Sequence, residues 1–104
     1  MRPTKLSNLA IARALERLGE WRREGDVISR AFRCGSFADA IAFVVRIGFL
    51  AEAVDHHPDI DIRYRTVTVA LTTHDAGGLT QYDVDLATAI DVVARAFVHA
   101  DDRG

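Results

Sequence analysis

The sequence predicts an α+β domain: a four-stranded antiparallel sheet with three helices packed on one face, in the order α-β-β-α-β-β-α. Two observations carry this. Apolar residues recur at helical spacing in three separate stretches, each opened by a capping residue: Ser7, Ser36 and Thr80. Between the helices lie two pairs of short segments, rich in β-branched and aromatic residues and broken by tight turns. The chain has 104 residues, which suits a single domain over 1–104.

After Ser7, Leu9, Ala12, Leu15 and Leu18 mark one helix face. Arg13, Glu16 and Arg17 fall on the wet side, and Gly19 is the stop. Two strands follow, joined by a turn around Gly25. In the second, Ile28, Ala31 and Phe32 do not alternate cleanly, which a bulge or a shifted frame would explain. Trp21 has two readings: a wedge closing the small core, or an aromatic wall of a ligand pocket. Cys34 reads as a half-buried strand residue.

Ser36 caps the longest helix, with Asp39 at the capping-box position. From Phe37 to Val54 the only charged residues are Asp39, Arg46 and Glu52. Phe37, Ile41, Val44, Val45, Phe49 and Leu50 wrap most of the remaining surface. Such a helix is covered on more than one side, by the sheet and by a neighbouring helix or subunit. Gly48 suits a close crossing, at about 1 kcal/mol of helix propensity.

Pro58 ends that helix, because the residue before a proline avoids the α region. His56 and His57 therefore stand where helix hands over to strand. Ile60, Ile62 and Tyr64 form one alternating series and Val67, Val69 and Leu71 another, of opposite parity. A turn at Arg65-Thr66 returns both to one face. His74 closes the second strand, and Asp75 to Gly78 form a flexible loop. Thr80 caps the last helix, with Asp83 at the capping-box position. Leu86, Ala89, Ile90, Val93 and Phe97 form its buried face, and Asp91 and Arg95 an i,i+4 pair on the wet side. His99 suits the helix dipole as an ordinary surface residue, and the tail Asp101–Gly104 frays.

Composition narrows the function. The formal net charge is -2, with both signs scattered, unlike the basic stripe of a nucleic-acid binder. No charge-free apolar run approaches the ~20 residues of a membrane span. Met1-Arg2-Pro3-Thr4 does not open a signal peptide, so a cytoplasmic location is expected. A lone Cys34 excludes an internal disulfide and a cysteine-based zinc site.

His56, His57 and His74 are the one cluster of groups that titrate near neutrality. In the hairpin, antiparallel pairing brings both ends of this set to one sheet edge. Three readings of the cluster stand on spacing alone. Three histidines can bind zinc, although adjacent strand residues point to opposite faces. They can be ordinary polar residues at a strand entry and a loop. Or they can carry metal-free acid–base catalysis, one imidazole donating a proton and another accepting one, each step worth ~10²–10⁴-fold. Asp83 is likewise a helix cap, or a pocket carboxylate that orients a histidine or binds a ligand N–H. Glu52 and Asp55 read as solvated helix-end residues. Gly77-Gly78 does not make a phosphate loop.

At His56-His57-Pro58 the stretch resembles the pterin-4a-carbinolamine dehydratase family. An acidic residue, Glu52, precedes by three spacers. Tyr64 is the expected aromatic, His74 follows in Leu71-Thr72-Thr73-His74, and Asp83 follows in Gly78-Leu79-Thr80-Gln81-Tyr82-Asp83. The similarity runs from Trp21 through the last helix. One departure is Ile60-Asp61, where many members have an aromatic pair. The resemblance implies a dehydratase that needs no metal or cofactor. Its substrate would be a 4a-hydroxytetrahydropterin, formed by an aromatic amino acid hydroxylase, and its product the quinonoid dihydropterin. By position, His56, His57 and His74 would form the catalytic site, with Asp83 supporting it and Trp21 lining the pocket. His57 and His74 would transfer protons and His56 would bind and orient. The resemblance further implies a homodimer or homotetramer. In animals a relative also serves as a dimerisation cofactor of a homeodomain transcription factor. Some relatives on this fold have lost catalysis and act as assembly factors, which is the alternative function here.

Overall fold

In a computed structural model, residues 3–98 are described. The expectations for His99 and for the tail 101–104 lie outside them. The element order is α1 (Asn8–Leu18), β1 (Arg22–Glu24), β2 (Val27–Arg33), α2 (Phe37–Val54), β3 (Asp59–Arg63), β4 (Thr66–Leu71) and α3 (Gln81–Ala94), with a 3-10 turn at His74–Ala76. The sheet is antiparallel, in the order β1-β2-β4-β3. The α+β architecture expected from periodicity is the one observed. Among the described residues no helix is long and apolar enough to cross a membrane.

The helix starts follow from local side-chain chemistry. The hydroxyl oxygens of Ser7 and Ser36 accept the N–H groups of Ala10 and Asp39, donors that the helix itself leaves unpaired. Thr80 and Asp83 form a full capping box on α3.

Packing corrects several faces. In α1 the buried residues are Ile11 and Ala14, with Leu15 and Leu18 packed at the margin, whereas Leu9 and Ala12 are exposed. In β2 the frame is Ile28 and Phe32 inward and Ala31 outward, with unbroken pairing to β4 from Ile28↔Leu71 to Arg33↔Thr66, so there is no bulge. The irregularity came from Arg30, an inward position held by a polar residue. Its guanidinium lies 4.4 Å from the Phe32 ring centroid and 2.9 Å from Asp91. Asp91 is therefore not a wet-side partner of Arg95 alone; it ties α3 to β2. Cys34 is fully buried rather than half-buried.

The β3–β4 turn is Tyr64-Arg65 rather than Arg65-Thr66, since Arg63 pairs with Thr66. Tyr64 takes the left-handed backbone (φ 53°), a conformation that a propensity argument does not assign to tyrosine. Ile62↔Val67 and Ile60↔Val69 still share one face.

The core sits between sheet and helices. Ala40, Phe43, Ile47 and Ala51 make the inner stripe of α2. Phe43 packs edge-on to Phe32 at 5.0 Å and stacks on Phe97 at 5.7 Å. The other side of α2 is exposed in the single chain: Phe37, Ile41, Val45 and Phe49, the last 70% exposed. A Cβ at Gly48 would meet nothing within 4 Å, so no close crossing occurs there within the chain.

Burial pushes the half-buried Asp91 carboxyl above its ordinary value, outweighing the Trp21 hydrogen bond and the Arg30 charge. A carboxyl raised in this way binds protons more readily folded than unfolded. Its stabilising contribution is complete below the unfolded value and is lost as pH rises through the folded one. Urea titrations should show wild type gaining stability relative to Asp91→Asn as pH falls from neutral towards about 3.9. Wild type losing stability relative to Asp91→Asn over that acidification would contradict this.

Candidate active site

The site forms where two chain reversals meet. On one side α2 ends at Asp55, whose backbone is left-handed (φ 51°, ψ 45°) and whose N–H bonds the Ala51 and Glu52 carbonyls. The His56 N–H also closes on the Ala51 carbonyl at 3.1 Å. Aspartate is among the few residues that tolerate this conformation, and Pro58 prevents the helix from resuming. His56 and His57 are thus held at the exit of a rigid helix. On the other side, β4 gives way to a tight loop in which Thr73 and Gly78 exchange backbone hydrogen bonds at 3.2 and 3.3 Å. His74 opens the 3-10 turn inside that loop. The loop expected to be flexible is hydrogen-bonded across its base. Gly78 is buried, and a Cβ there would lie 2.7 Å from the Lys5 Cε. Leu6 donates to the Leu79 carbonyl at 2.8 Å, clamping the loop from the N-terminal side.

Between the reversals lies a cleft of about 250 Å³, lined by Asp55, His56, His57, Thr72, Thr73, His74 and Asp75. All three histidines of the sequence cluster therefore reach one concave surface.

Their environments differ. Asp83, on the first turn of α3, is 0% exposed. Its Oδ1 lies 2.6 Å from His56 Nε2. Its Oδ2 accepts the Thr80 N–H at 2.9 Å and the Thr73 hydroxyl at 2.7 Å. An ionised carboxylate only accepts, so in that pairing His56 donates from Nε2. The His56 side chain is 11% exposed, and its ring leans on Tyr82 with centroids 5.9 Å apart. His57 is open by comparison. Its Nε2 lies 2.6 Å from Glu52 Oε1, with the two side chains 55% and 78% exposed. His74 is exposed on the opposite wall. One imidazole is largely buried and locked and two are exposed at the cleft, an arrangement suited to binding beside proton transfer. Among the described residues no three His, Cys, Asp or Glu side chains converge as a metal-ligand set.

The model of the family described as pterin 4 alpha carbinolamine dehydratase matches residues 4–93. The chain belongs to this dehydratase family. It is 59% identical over 90 residues to the "Putative pterin-4-alpha-carbinolamine dehydratase" of Roseiflexus sp. (strain RS-1), covering 86% of this chain and 97% of that one. Among solved structures the dehydratase fold is shared with a "transcriptional coactivator/pterin dehydratase" from Brucella melitensis. The TM-score is 0.84 at 30% identity, over 88% of this chain and 99% of that one. A "pterin dehydratase-like protein", identified as a RuBisCO assembly factor in the alpha-carboxysome, has a TM-score of 0.62 at 26% identity, over 72% and 89%.

Not every residue expected in the dehydratase pocket lies there. Trp21 is buried in the core, edge-on to Phe32 at 6.0 Å. Its indole N–H is shared between the two Asp91 oxygens at 3.0 and 3.1 Å. This is the wedge of the two readings of Trp21; the cleft is lined without it. Asp83 acts from beneath His56, with its carboxylate closed off from the cleft. Glu52 is exposed as expected, but it also holds His57. The residue missed in the sequence was Thr73, whose hydroxyl donates to Asp83 Oδ2, the same oxygen that accepts the Thr80 N–H. Thr80 carried a local signal as a cap; Thr73 carried none, since its partners come from the start of another element.

Proposed function

We propose that this protein eliminates water from a 4a-hydroxytetrahydropterin to give the quinonoid dihydropterin, in tetrahydropterin recycling downstream of an aromatic amino acid hydroxylase. The observation that carries this is the convergence of three imidazoles of unequal freedom on one cleft, in a chain of the dehydratase family. The C4a–O bond breaks as the hydroxyl takes a proton and leaves as water, and a ring nitrogen loses its proton. His57 and His74, both open to the cleft, carry the two transfers. His56, held by Asp83, binds and orients the ring. No metal or cofactor enters this scheme. The protein works in the cytoplasm as a homodimer or homotetramer that covers the apolar side of α2.

The test is dehydration of freshly generated 4a-hydroxytetrahydropterin, followed by ultraviolet absorbance, with protein stripped of metal by a chelator. Acceleration over the spontaneous reaction that survives chelation is the expected result. Folded protein with no acceleration would sink the dehydratase reading.

A second reading, a scaffold or assembly factor, is favoured by one feature: the exposed stripe Phe37, Ile41, Val45 and Phe49. The assembly factor of the alpha-carboxysome shares the fold. The readings separate on substitution of the cleft histidines, which a scaffold survives and a catalyst does not.

A further inference from the structure

We propose that Thr73 is the positioning residue that holds His56 in its Nε2–H form, through a chain of hydroxyl groups with one direction. The chain starts at the Tyr82 N–H, which is 3.2 Å from Thr80 Oγ1. Thr80 Oγ1 lies 2.8 Å from Thr73 Oγ1, and Thr73 Oγ1 lies 2.7 Å from Asp83 Oδ2. Each hydroxyl has a single proton. Asp83 as a carboxylate can only accept, so the Thr73 proton goes to Asp83. Thr73 must then accept from Thr80, and Thr80 from the Tyr82 backbone. Reversing any link would set two lone pairs against each other in a region closed to water, since Thr73, Thr80 and Asp83 are all buried.

This chain decides what His56 can do. Thr73 and the Thr80 N–H hold Oδ2, which fixes the carboxylate plane and aims Oδ1 at His56 Nε2. With Nε2 committed as donor, Nδ1 is the acceptor of the ring. In the neutral ring the Nδ1 lone pair would suit a ligand N–H rather than a carbonyl. Thr73 sits on the cleft wall beside His74, so one residue couples the locked histidine to the loop carrying an exposed one.

The experiment uses protein labelled with ¹⁵N at histidine. Ring ¹⁵N shifts distinguish Nε2–H from Nδ1–H directly, and need no turnover. Wild type is expected as the Nε2–H tautomer. Thr73→Val, which keeps the shape and removes the hydroxyl, should show a second population carrying Nδ1–H. Thr73→Ser should restore the wild-type spectrum. The kinetic arm rests on the dehydratase reading: KM should rise about tenfold in Thr73→Val, with kcat little changed, and recover in Thr73→Ser. A wild-type His56 in the Nδ1–H form would overturn the proposal without any variant. So would a Thr73→Val protein with an unchanged His56 spectrum. If Thr73→Val does not fold, loss of the Nε2–H form in Thr73→Ser overturns it and retention supports it. Wild type without turnover would remove the dehydratase reading while the spectra still decide the role of Thr73.

Discussion

Alanine at His57 or at His74 is expected to lower kcat/KM by about 10²–10⁴-fold, the range for loss of a positioned acid or base. Neither change should disturb the fold. His57 pairs with Glu52 in an exposed contact, and His74 projects from an exposed turn. Substitutions at such positions usually stay within about 0.5 kcal/mol, so Tm and circular dichroism should match wild type. Any loss of rate then belongs to chemistry rather than unfolding. The double variant sharpens the assignment. If the two imidazoles serve one concerted elimination, removing both should cost little more than removing one. Wild-type turnover in either folded single variant would remove that residue from the proton transfers.

Asp83→Ala acts on stability instead. It leaves the Thr73 hydroxyl, the Thr80 N–H and His56 Nε2–H without their acceptor at a site with no solvent exposure. Removing one partner from a buried charged network costs about 3–5 kcal/mol. For a domain of this size that is a drop in Tm of roughly 15 °C or more. It would also release the N-terminus of α3, because Asp83 completes its capping box. Asp83→Asn separates the two roles. The amide oxygen can replace Oδ2 for Thr73 and Thr80, which keeps the cap. The amide NH2 then faces His56 and forces its Nε2 to accept. Calorimetry should find the Asn variant closer to wild type than the Ala variant, while the assay finds KM raised as in Thr73→Val. An Ala variant as stable as wild type would show that the buried network does not hold the helix.

The legible parts of this protein were those written within a few residues of one another. Ser7, Ser36 and Thr80 start the helices because a side-chain oxygen reaches an N–H two or three residues on. α2 runs from Phe37 to Val54, as its sequence pattern implied, because Ser36 opens it and a proline follows its last turn. The opposite parity of the two apolar series in the hairpin already required a turn between them, since one face of the sheet is buried. The spacing of His56, His57, His74 and Asp83 matched a family, and the family model confirms that membership.

The rest depended on partners far apart in the chain. Trp21 could be wedge or wall until Asp91, seventy residues on, took its N–H. Arg30 looked like a break in β2 until the same aspartate and the Phe32 ring made its inward position tolerable. Ile11 and Ala14, not Leu9 and Ala12, face inward because α1 turns towards α3 and the core, which its own amphipathic pattern does not specify. The site follows the same rule. The sequence by itself determined the fold class, the capped helix ends and which titratable residues could meet. Only the tertiary structure decided that His56 would be locked and His57 and His74 left open. A buried carboxylate must find all its donors inside the protein, and the donors of Asp83 come from three separate segments of the chain.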